Sequence, residues 1–259
     1  MFESLNVSTL LKLLIDTQDA IYRQYTSGDT PTNIDYINQF SDNENSVKII
    51  FDHIDFKILH ISENVTKLSG YGIKYFYKIN IPFIFKIVTF DHYSFLYTWL
   101  KWAVTINTNY KYCDSQKQSV IGVKVKHRDG HFMRVLIRYY PIQVTKSGAA
   151  TKAAITIDDV THLIKSDFYC LRMEFNRDGE NFVHNLNSTD KKDKPFDIIS
   201  DREKDTLRLL AQGMESKEIG KLLYTSSHTI DNHRRNMMSK IGAKDTTALI
   251  QICKMIGII

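Results

Sequence analysis

The sequence contains few cysteines, and their positions argue against a fold stabilised by disulfides or by a cysteine-ligated metal. Among its 259 residues there are three, Cys113, Cys170 and Cys253, which are widely separated and odd in number. A disulfide framework would need an even set at close spacings, and a metal site would need paired cysteines. The pattern is typical of a protein from a reducing cytoplasm, and cytoplasmic localisation is our expectation.

Long apolar runs are also missing. No stretch of 18 apolar residues occurs, and the most apolar segment, residues 81–90, is interrupted by Pro82 and Lys86. The apolar run from Leu10 to Ile15 is too short for a secretion signal and has no basic leader before it. We therefore expect a soluble protein with no membrane partner.

The motifs of the common enzyme classes are absent as well. The sequence has no HExxH, P-loop, GxSxG or kinase signature, and no acidic pocket of the kind that accepts a phosphoryl group. His127 and His131 flank a predicted tight turn, so a metal pair is conceivable, but we expect no acidic or cysteine partner to accompany them. We accordingly predict no enzyme activity, no catalytic residues, no cofactor and no metal site, and the residues that would bind a cofactor are unknown.

What the sequence does contain is a run of capped helices from Ser200 to Gly242. Ser200 and Glu203 form the spacing of a capping box, and Gly213 lies where a left-handed residue would end the first helix. Ser216 is the predicted N-cap of a second helix, on which Ile219 and Leu222 are predicted to face inward. Ser226 or Ser227 begins a third helix, which ends at Gly242. A helix, a tight turn and a second helix form the arrangement that enters the DNA major groove.

The third helix has two distinct faces at about 100° per residue. One is a predicted buried stripe formed by Ile230, His233, Met237 and Ile241. The opposite face is polar, with side chains that can hydrogen-bond base edges or phosphates. The residues that we predict to bind DNA are His228, Thr229, Asp231, Asn232, Arg234, Arg235, Ser239 and Lys240. The net charge of +5 adds modest support for an anionic partner.

Residues 200–258 resemble the LuxR-type (GerE) helix-turn-helix. The similarity rests on these residues: Ser200 to Glu203, Leu207, Leu210 to Gly213, Lys217 to Ile219, Leu222, Thr229-Ile230, His233, Asn236, Lys240 to Gly242, and Ala248. The resemblance implies that Asp231, Asn232 and Arg235 face DNA. Asp231 departs from the family pattern, in which lysine is frequent at this position. The resemblance also assigns dimerisation to a fourth helix over 245–257, although that helix could instead simply close the small domain.

The N-terminal part has a different pattern. An amphipathic helix is predicted over residues 3–26. Two strands follow within 46–62, then short helices, a longer helix from Asp91 to about Asn107, and two strands joined at Asp129-Gly130. A further strand covers Ala153 to Asp158, and a hairpin centred on Asp178-Gly179 either extends the same sheet or forms a separate ribbon. The aromatic residues between 71 and 102 form either core or the lining of a small pocket.

Several short motifs over residues 34–165 resemble those of a PAS domain. They are the segments 56–65, Leu68 to Tyr71, Val88 to His92, Lys126 to His131, and Ile157 to Thr161. The resemblance implies a sensor of a small ligand or of a partner. The cysteine context of a flavin-binding PAS domain is missing, because Cys113 lies in KYCDSQ, and no histidine is distinguished as a haem ligand.

Together these patterns predict an α+β chain of four parts. Residues 1–33 form an N-terminal helix, 34–165 a PAS-like antiparallel sheet domain with flanking helices, and 166–196 a hairpin and linker. Residues 197–259 form an all-α, four-helix DNA-binding domain. We interpret the chain as a bacterial transcriptional regulator that binds double-stranded DNA as a homodimer, under a small-molecule or protein signal. The alternative is a sensor whose helical domain docks on a protein partner.

Overall fold

The computed structural model describes residues 45–79, 87–89, 116–144, 150–165, 169–177, 180–187 and 199–259, together with Lys12 and Tyr93. Three predicted features lie almost wholly outside these residues: the helix over 3–26, the helix from 91 to about 107, and the charged linker that ends at Pro195. Within the described residues, no helix combines the length and the apolar character needed to cross a bilayer.

The part of the chain before the C-terminal helices contains one antiparallel sheet, which extends from Val47 to Asn187. Its strands are β1 (Val47–Asp52), β2 (Lys57–Ile61), β3 (Gln116–Lys126), β4 (Phe132–Val144), β5 (Ala150–Asp159), β6 (Cys170–Arg177) and β7 (Glu180–Asn187), in the order β2-β1-β5-β4-β3-β6-β7. The predicted hairpin of β1 and β2 is confirmed, as is the turn at Asp129-Gly130 between β3 and β4. Of the two alternatives for the late hairpin, the structure shows the first, because β6 pairs with β3 from Gln116↔Phe175 to Ile121↔Cys170.

Two short helices, α1 (Asn64–Ser69) and α2 (Ile73–Ile79), follow β2. The first ends at Gly70, whose φ of 75° is the left-handed conformation that favours glycine. Val65 and Phe76 bury their side chains against Val47 and Ile61 of the sheet. Strands, short helices and further strands therefore occur in the order expected for a PAS-like α+β unit.

The C-terminal part is all helical, as predicted. It contains α3 (Asp201–Ala211), α4 (Ser216–Leu222), α5 (Ser227–Ile241) and α6 (Thr246–Met255). The apolar positions of α6 fill the core of this part, and Leu249 and Ile252 are fully buried. The four helices thus share one apolar core.

The sheet and the helical part contact each other directly. Ile164 forms an antiparallel bridge with Ala243, flanked by hydrogen bonds from Lys165 N to Gly242 O (2.8 Å) and from Lys244 N to Leu163 O (3.0 Å). A single buried apolar cluster includes residues of both parts: Ile121, Leu136, Val160, Leu163 and Ile164 from the sheet side, and the core of α3 to α6. The segment that follows β5 therefore joins the two parts through backbone pairing and apolar burial.

A second contact involves Arg138 on β4. Its guanidinium donates to Asp158 Oδ2 at 2.8 Å and reaches the carbonyl oxygen of Met255 at 3.5 Å. That carbonyl lies at the C-terminal end of α6, where a cation is favoured by the helix dipole. Arg138 therefore connects the middle of the sheet to the last helix.

Candidate nucleic-acid interface

The entry into α3 is fixed by the predicted capping box. Ser200 N donates to Glu203 Oε2 at 2.9 Å, and Glu203 N donates back to Ser200 Oγ at 3.4 Å. Lys240 of α5 donates to both oxygens of the same carboxylate, at 2.8 and 2.7 Å. Burial opposes ionisation of Glu203, but the hydrogen bonds from Lys240 and Ser200 outweigh it, and the pKa of the carboxyl is lowered. Glu203 therefore ties the start of α3 to the end of α5.

The predicted start of α4 is wrong by one residue. The N-cap is Glu215, whose backbone N–H donates to the Glu218 carboxylate at 2.9 Å, so Ser216 is already the first helical residue. Ser216 instead donates its hydroxyl to Asp231 of α5 at 2.7 Å. Local sequence rules favour a serine at this position as an N-cap. Here the hydroxyl of Ser216 instead donates to Asp231 on α5.

The tight turn between α4 and α5 differs from prediction at one position. Leu222 was expected to face inward and is 55% exposed, because α4 ends there and Leu223 takes the place against the core. Tyr224 follows in a left-handed conformation (φ 52°) and is 98% exposed. The turn therefore presents two large apolar side chains to solvent.

The start of α5 is as predicted. Thr229 N donates to the Ser226 side chain at 3.0 Å, which makes Ser226 the cap. Ile230, Met237 and Ile241 are fully buried, whereas His233, predicted in the same stripe, is only half-buried. Gly242 ends the helix with φ 73°. These constraints fix which face of α5 remains outside.

That outer face carries the residues predicted to bind DNA. His228, Arg235 and Ser239 are exposed, and the others are half-buried: Thr229, Asp231, Asn232, Arg234 and Lys240. The Arg235 guanidinium donates to the Asn232 side-chain oxygen, one turn away. This pairing lies on the surface of α5 and leaves the remaining N–H groups of Arg235 available for a base edge or a phosphate.

Asp231 and Lys240 have partners on other helices of the domain. Asp231 accepts from Ser216 and lies 3.1 Å from Arg234, so its charge is partly neutralised and it holds α4 against α5. Lys240 is paired with Glu203. The sequence pattern did not reveal either partner, because both lie on other helices or across the turn. Their contacts with DNA stay a prediction.

The predicted dimerisation helix, α6, uses its apolar face within the chain. Ala248, Leu249, Ile252 and Ile256 are all buried in the core shared with the sheet side. The exposed side chains of α6 are polar: Thr247, Gln251 and Lys254. A dimer formed through α6 would therefore use this polar side.

The aromatic segment between residues 71 and 102 is only partly described. Tyr71 and Tyr75 stack with ring centroids 4.7 Å apart, and Phe76 is buried against the sheet. Tyr77 is 44% exposed. The described members thus form core and surface contacts.

Comparison with known proteins identifies the helical part. Residues 197–253 match the family described as bacterial regulatory proteins, luxR family. The oxygen regulatory protein NreC of Staphylococcus aureus is 38% identical over 71 residues, which are 27% of this chain and 33% of NreC. The chain thus covers about a third of the length of these relatives.

Among solved structures, a VqmA dimer of Vibrio cholerae covers 88% of this chain and 89% of its own, at 15% identity and a TM-score of 0.32. The PAS domain of a Colwellia psychrerythraea protein covers 49% of this chain and 96% of its own, at 16% identity and a TM-score of 0.34. Scores this low carry no argument about the N-terminal part.

For the C-terminal part, the sequence match, the capped helices and the exposed polar face of α5 all indicate the same kind of domain. Residues 197–253 are a LuxR-type helix-turn-helix domain.

Proposed function

We propose that the chain is a transcriptional regulator that binds double-stranded DNA through α5. The observation that carries this proposal is the outer face of α5, where Arg235, Asn232 and His228 stand together on a helix held by the rest of the domain. Arg235 would read a base edge, since a guanidinium matches the acceptors of guanine. Arg234 and the N-terminal N–H groups of the helices would hold phosphate.

The role that we propose for each α5 residue follows from its hydrogen-bond and ion-pair partners. Asp231 would act mainly by positioning α4 and Arg234, since its carboxylate is held by Ser216 and by the Arg234 guanidinium. An unpaired acid on this face would repel phosphate, and these partners reduce that repulsion. Base reading would therefore rest on Arg235, Asn232 and His228.

The test is Arg235→Ala, measured on a duplex selected from a random pool by the unmodified chain. The variant should bind that duplex about tenfold more weakly, the loss of one good base contact. Arg208→Ala is the matched control, because it removes an exposed arginine on α3 and should leave affinity nearly unchanged. Equal affinity of the Arg235 variant and the unmodified chain would refute the recognition role of α5.

Affinity for DNA should also fall steeply as the salt concentration rises, since phosphate neutralisation releases counterions.

We further propose that the chain acts as a cytoplasmic homodimer, with two α5 helices on half-sites about one helical turn apart. A small-molecule or protein signal at the PAS-like domain would reach the helical part through the segment from Val160 to Lys165. That segment continues β5 at one end and pairs with Ala243 at the other. Light scattering of the full chain, with and without the selected duplex, tests the dimer.

A second function, docking on a protein partner, is favoured by the apolar turn of Leu222 and Tyr224. Side chains this exposed are common at protein contact sites. Titration with random duplex DNA separates the two functions. Saturable, salt-dependent binding supports DNA as the partner, and its absence supports docking on a protein.

A further inference from the structure

The turn between β3 and β4 brings together three groups that ligate metals. Asp129 Oδ1 lies 2.9 Å from His127 Nδ1 and 2.5 Å from His131 Nδ1, and the three ligand atoms all lie within 4.8 Å of one another. The two imidazole rings stack with centroids 4.5 Å apart. The expectation that the two histidines have no acidic partner is therefore wrong, because Asp129 lies between them in the chain and contacts both.

This donor set selects a class of metal. Two imidazole nitrogens and one carboxylate oxygen suit divalent first-row transition ions such as Zn²⁺, Ni²⁺ and Cu²⁺, whereas Ca²⁺ and Mg²⁺ prefer oxygen ligands alone. Zinc bonds of about 2.0–2.2 Å place tetrahedral ligands about 3.3 Å apart. The Nδ1 to Oδ1 separations of 2.9 and 2.5 Å are about 0.4 and 0.8 Å shorter than this, so the exposed Asp129 carboxylate would have to move away from both rings to admit the ion.

The turn is held in place by backbone hydrogen bonds. His127 N donates to His131 O at 2.9 Å, and Gly130 N donates to His127 O at 3.0 Å. His131 N donates to Asp129 Oδ1 at 3.1 Å. Arg128 N donates to Ser69 O at 3.0 Å, which anchors the turn to the end of α1. The three ligands therefore start from a fixed backbone, which lowers the cost of ordering them around an ion.

Gly70 positions the ring of His127. A Cβ atom at Gly70 would lie 2.6 Å from Cε1 and 2.8 Å from Nε2 of that ring, so only glycine lets the imidazole lie so close. With Nε2 against Gly70, Nδ1 is directed toward Asp129. The nearby positive charge of Arg128 lies over the Tyr71 ring, 5.7 Å from its centroid. These contacts orient one ligand from the neighbouring helix end.

The exposure of the cluster also suits the entry of a cation. Asp129 and His131 are 61% and 53% exposed, so an ion can enter from solvent and keep water in its remaining positions.

We propose that His127, Asp129 and His131 bind one divalent transition metal ion on the sensor domain. The ion would replace the hydrogen bonds within the cluster and join both sides of the β3–β4 turn. The imidazole nitrogens must be deprotonated to bind it, so protons compete with the metal. The proposal is independent of DNA binding, because its residues lie outside the helix-turn-helix domain.

The test is calorimetric titration of the full chain with Zn²⁺ alone, compared between the unmodified chain and three variants. The unmodified chain should bind one equivalent that becomes at least about tenfold weaker in both His131→Ala and Asp129→Asn. His162→Ala is the matched control, because it removes an exposed histidine outside the cluster and should leave this equivalent unchanged. Circular dichroism confirms that each variant is folded. Equal binding by all four chains, or no saturable binding, would overturn the proposal.

A spectroscopic measurement identifies the ligands. Electron paramagnetic resonance of the chain with one equivalent of Cu²⁺ should show coupling to two imidazole nitrogens, and to one in His131→Ala. Gly70→Ala should weaken binding although all three ligands remain, since a Cβ displaces the His127 ring. An unchanged nitrogen count in His131→Ala would place the ion elsewhere and refute the site.

Discussion

The ion pair between Lys240 and Glu203 gives a prediction that separates a structural role of Lys240 from a role in phosphate binding. Glu203 is 4% exposed, and its carboxylate accepts from Lys240 and from Ser200. Lys240→Met keeps much of the side-chain volume but removes the charge. The change leaves a buried carboxylate with Ser200 as its remaining partner among the contacts described above.

The expected cost follows from the exposure of the two partners. A hydrogen bond to a charged group contributes about 1.5–3 kcal/mol when it is well buried. Lys240 is 39% exposed, so solvent screens part of the attraction. We therefore expect Lys240→Met to lower the free energy of unfolding by about 1–2 kcal/mol at pH 7.

The effect should depend on pH in a defined direction. The pKa of Glu203 is lowered from 4.5 in the folded chain, so its stabilisation is present above about pH 4.5 and is lost as pH falls through the folded pKa. The difference between the variant and the unmodified chain should shrink over this range. Glu203→Gln should remove most of the effect of Lys240→Met, as in a double-mutant cycle.

The assay is urea denaturation at several pH values, followed by helical circular dichroism. Lys254→Met, an exposed lysine on α6, is the control for loss of charge and should change stability by less than about 0.5 kcal/mol. A Lys240 variant as stable as this control would refute the structural role. If DNA affinity then fell while stability did not, Lys240 would be a phosphate contact.

Two further predictions concern the sheet part and its contact with the helical part. Burial lowers the pKa of His53 to about 4, although the nearby charge of Asp52 acts in the opposite direction. As the pH falls from 6.5 to 4, the unfolded chain therefore takes up a proton before the folded chain does. The free energy of unfolding should fall by about 3 kcal/mol over this range. His53→Gln should flatten this part of the pH profile in denaturation experiments, and an unchanged slope would contradict the assignment. Ile164→Ala should lower the free energy of unfolding by about 2–4 kcal/mol, because this side chain is buried in the cluster shared by both parts. Leu222→Ala, at an exposed site, is its control, and equal stability of the two variants in urea would contradict the apolar contact.

The sequence predicted those features that depend on neighbours along the chain. The capping box of Ser200 and Glu203, the cap at Ser226 and the left-handed Gly242 are decided within one helical turn. The hairpin turn at Asp129-Gly130 is similarly local. These elements could be predicted because short-range hydrogen bonds and backbone conformation specify them.

Features that depend on contacts between distant segments could not be predicted in the same way. The turn signal at Asp178-Gly179 predicts a hairpin, but it does not decide between a separate ribbon and the observed pairing of β6 with β3. The hydroxyl of Ser216 satisfies a cap by local rules, and only the packing of α4 on α5 directs it to Asp231. Asp129 is a different case, since the spacing His-x-Asp-x-His was visible in the sequence and only the turn geometry shows the three groups to be adjacent.

The bond between Ser216 and Asp231 limits how the DNA preference of this domain can change. If Asp231 faces the groove as predicted, it could not vary freely, because a substitution would also remove the contacts that hold α4 and Arg234. Exposed neighbours such as His228, Arg235 and Ser239 have no such constraint from the core. New operator sequences would be acquired most easily at these exposed positions, and substitutions at Asp231 would succeed only together with a change at Ser216.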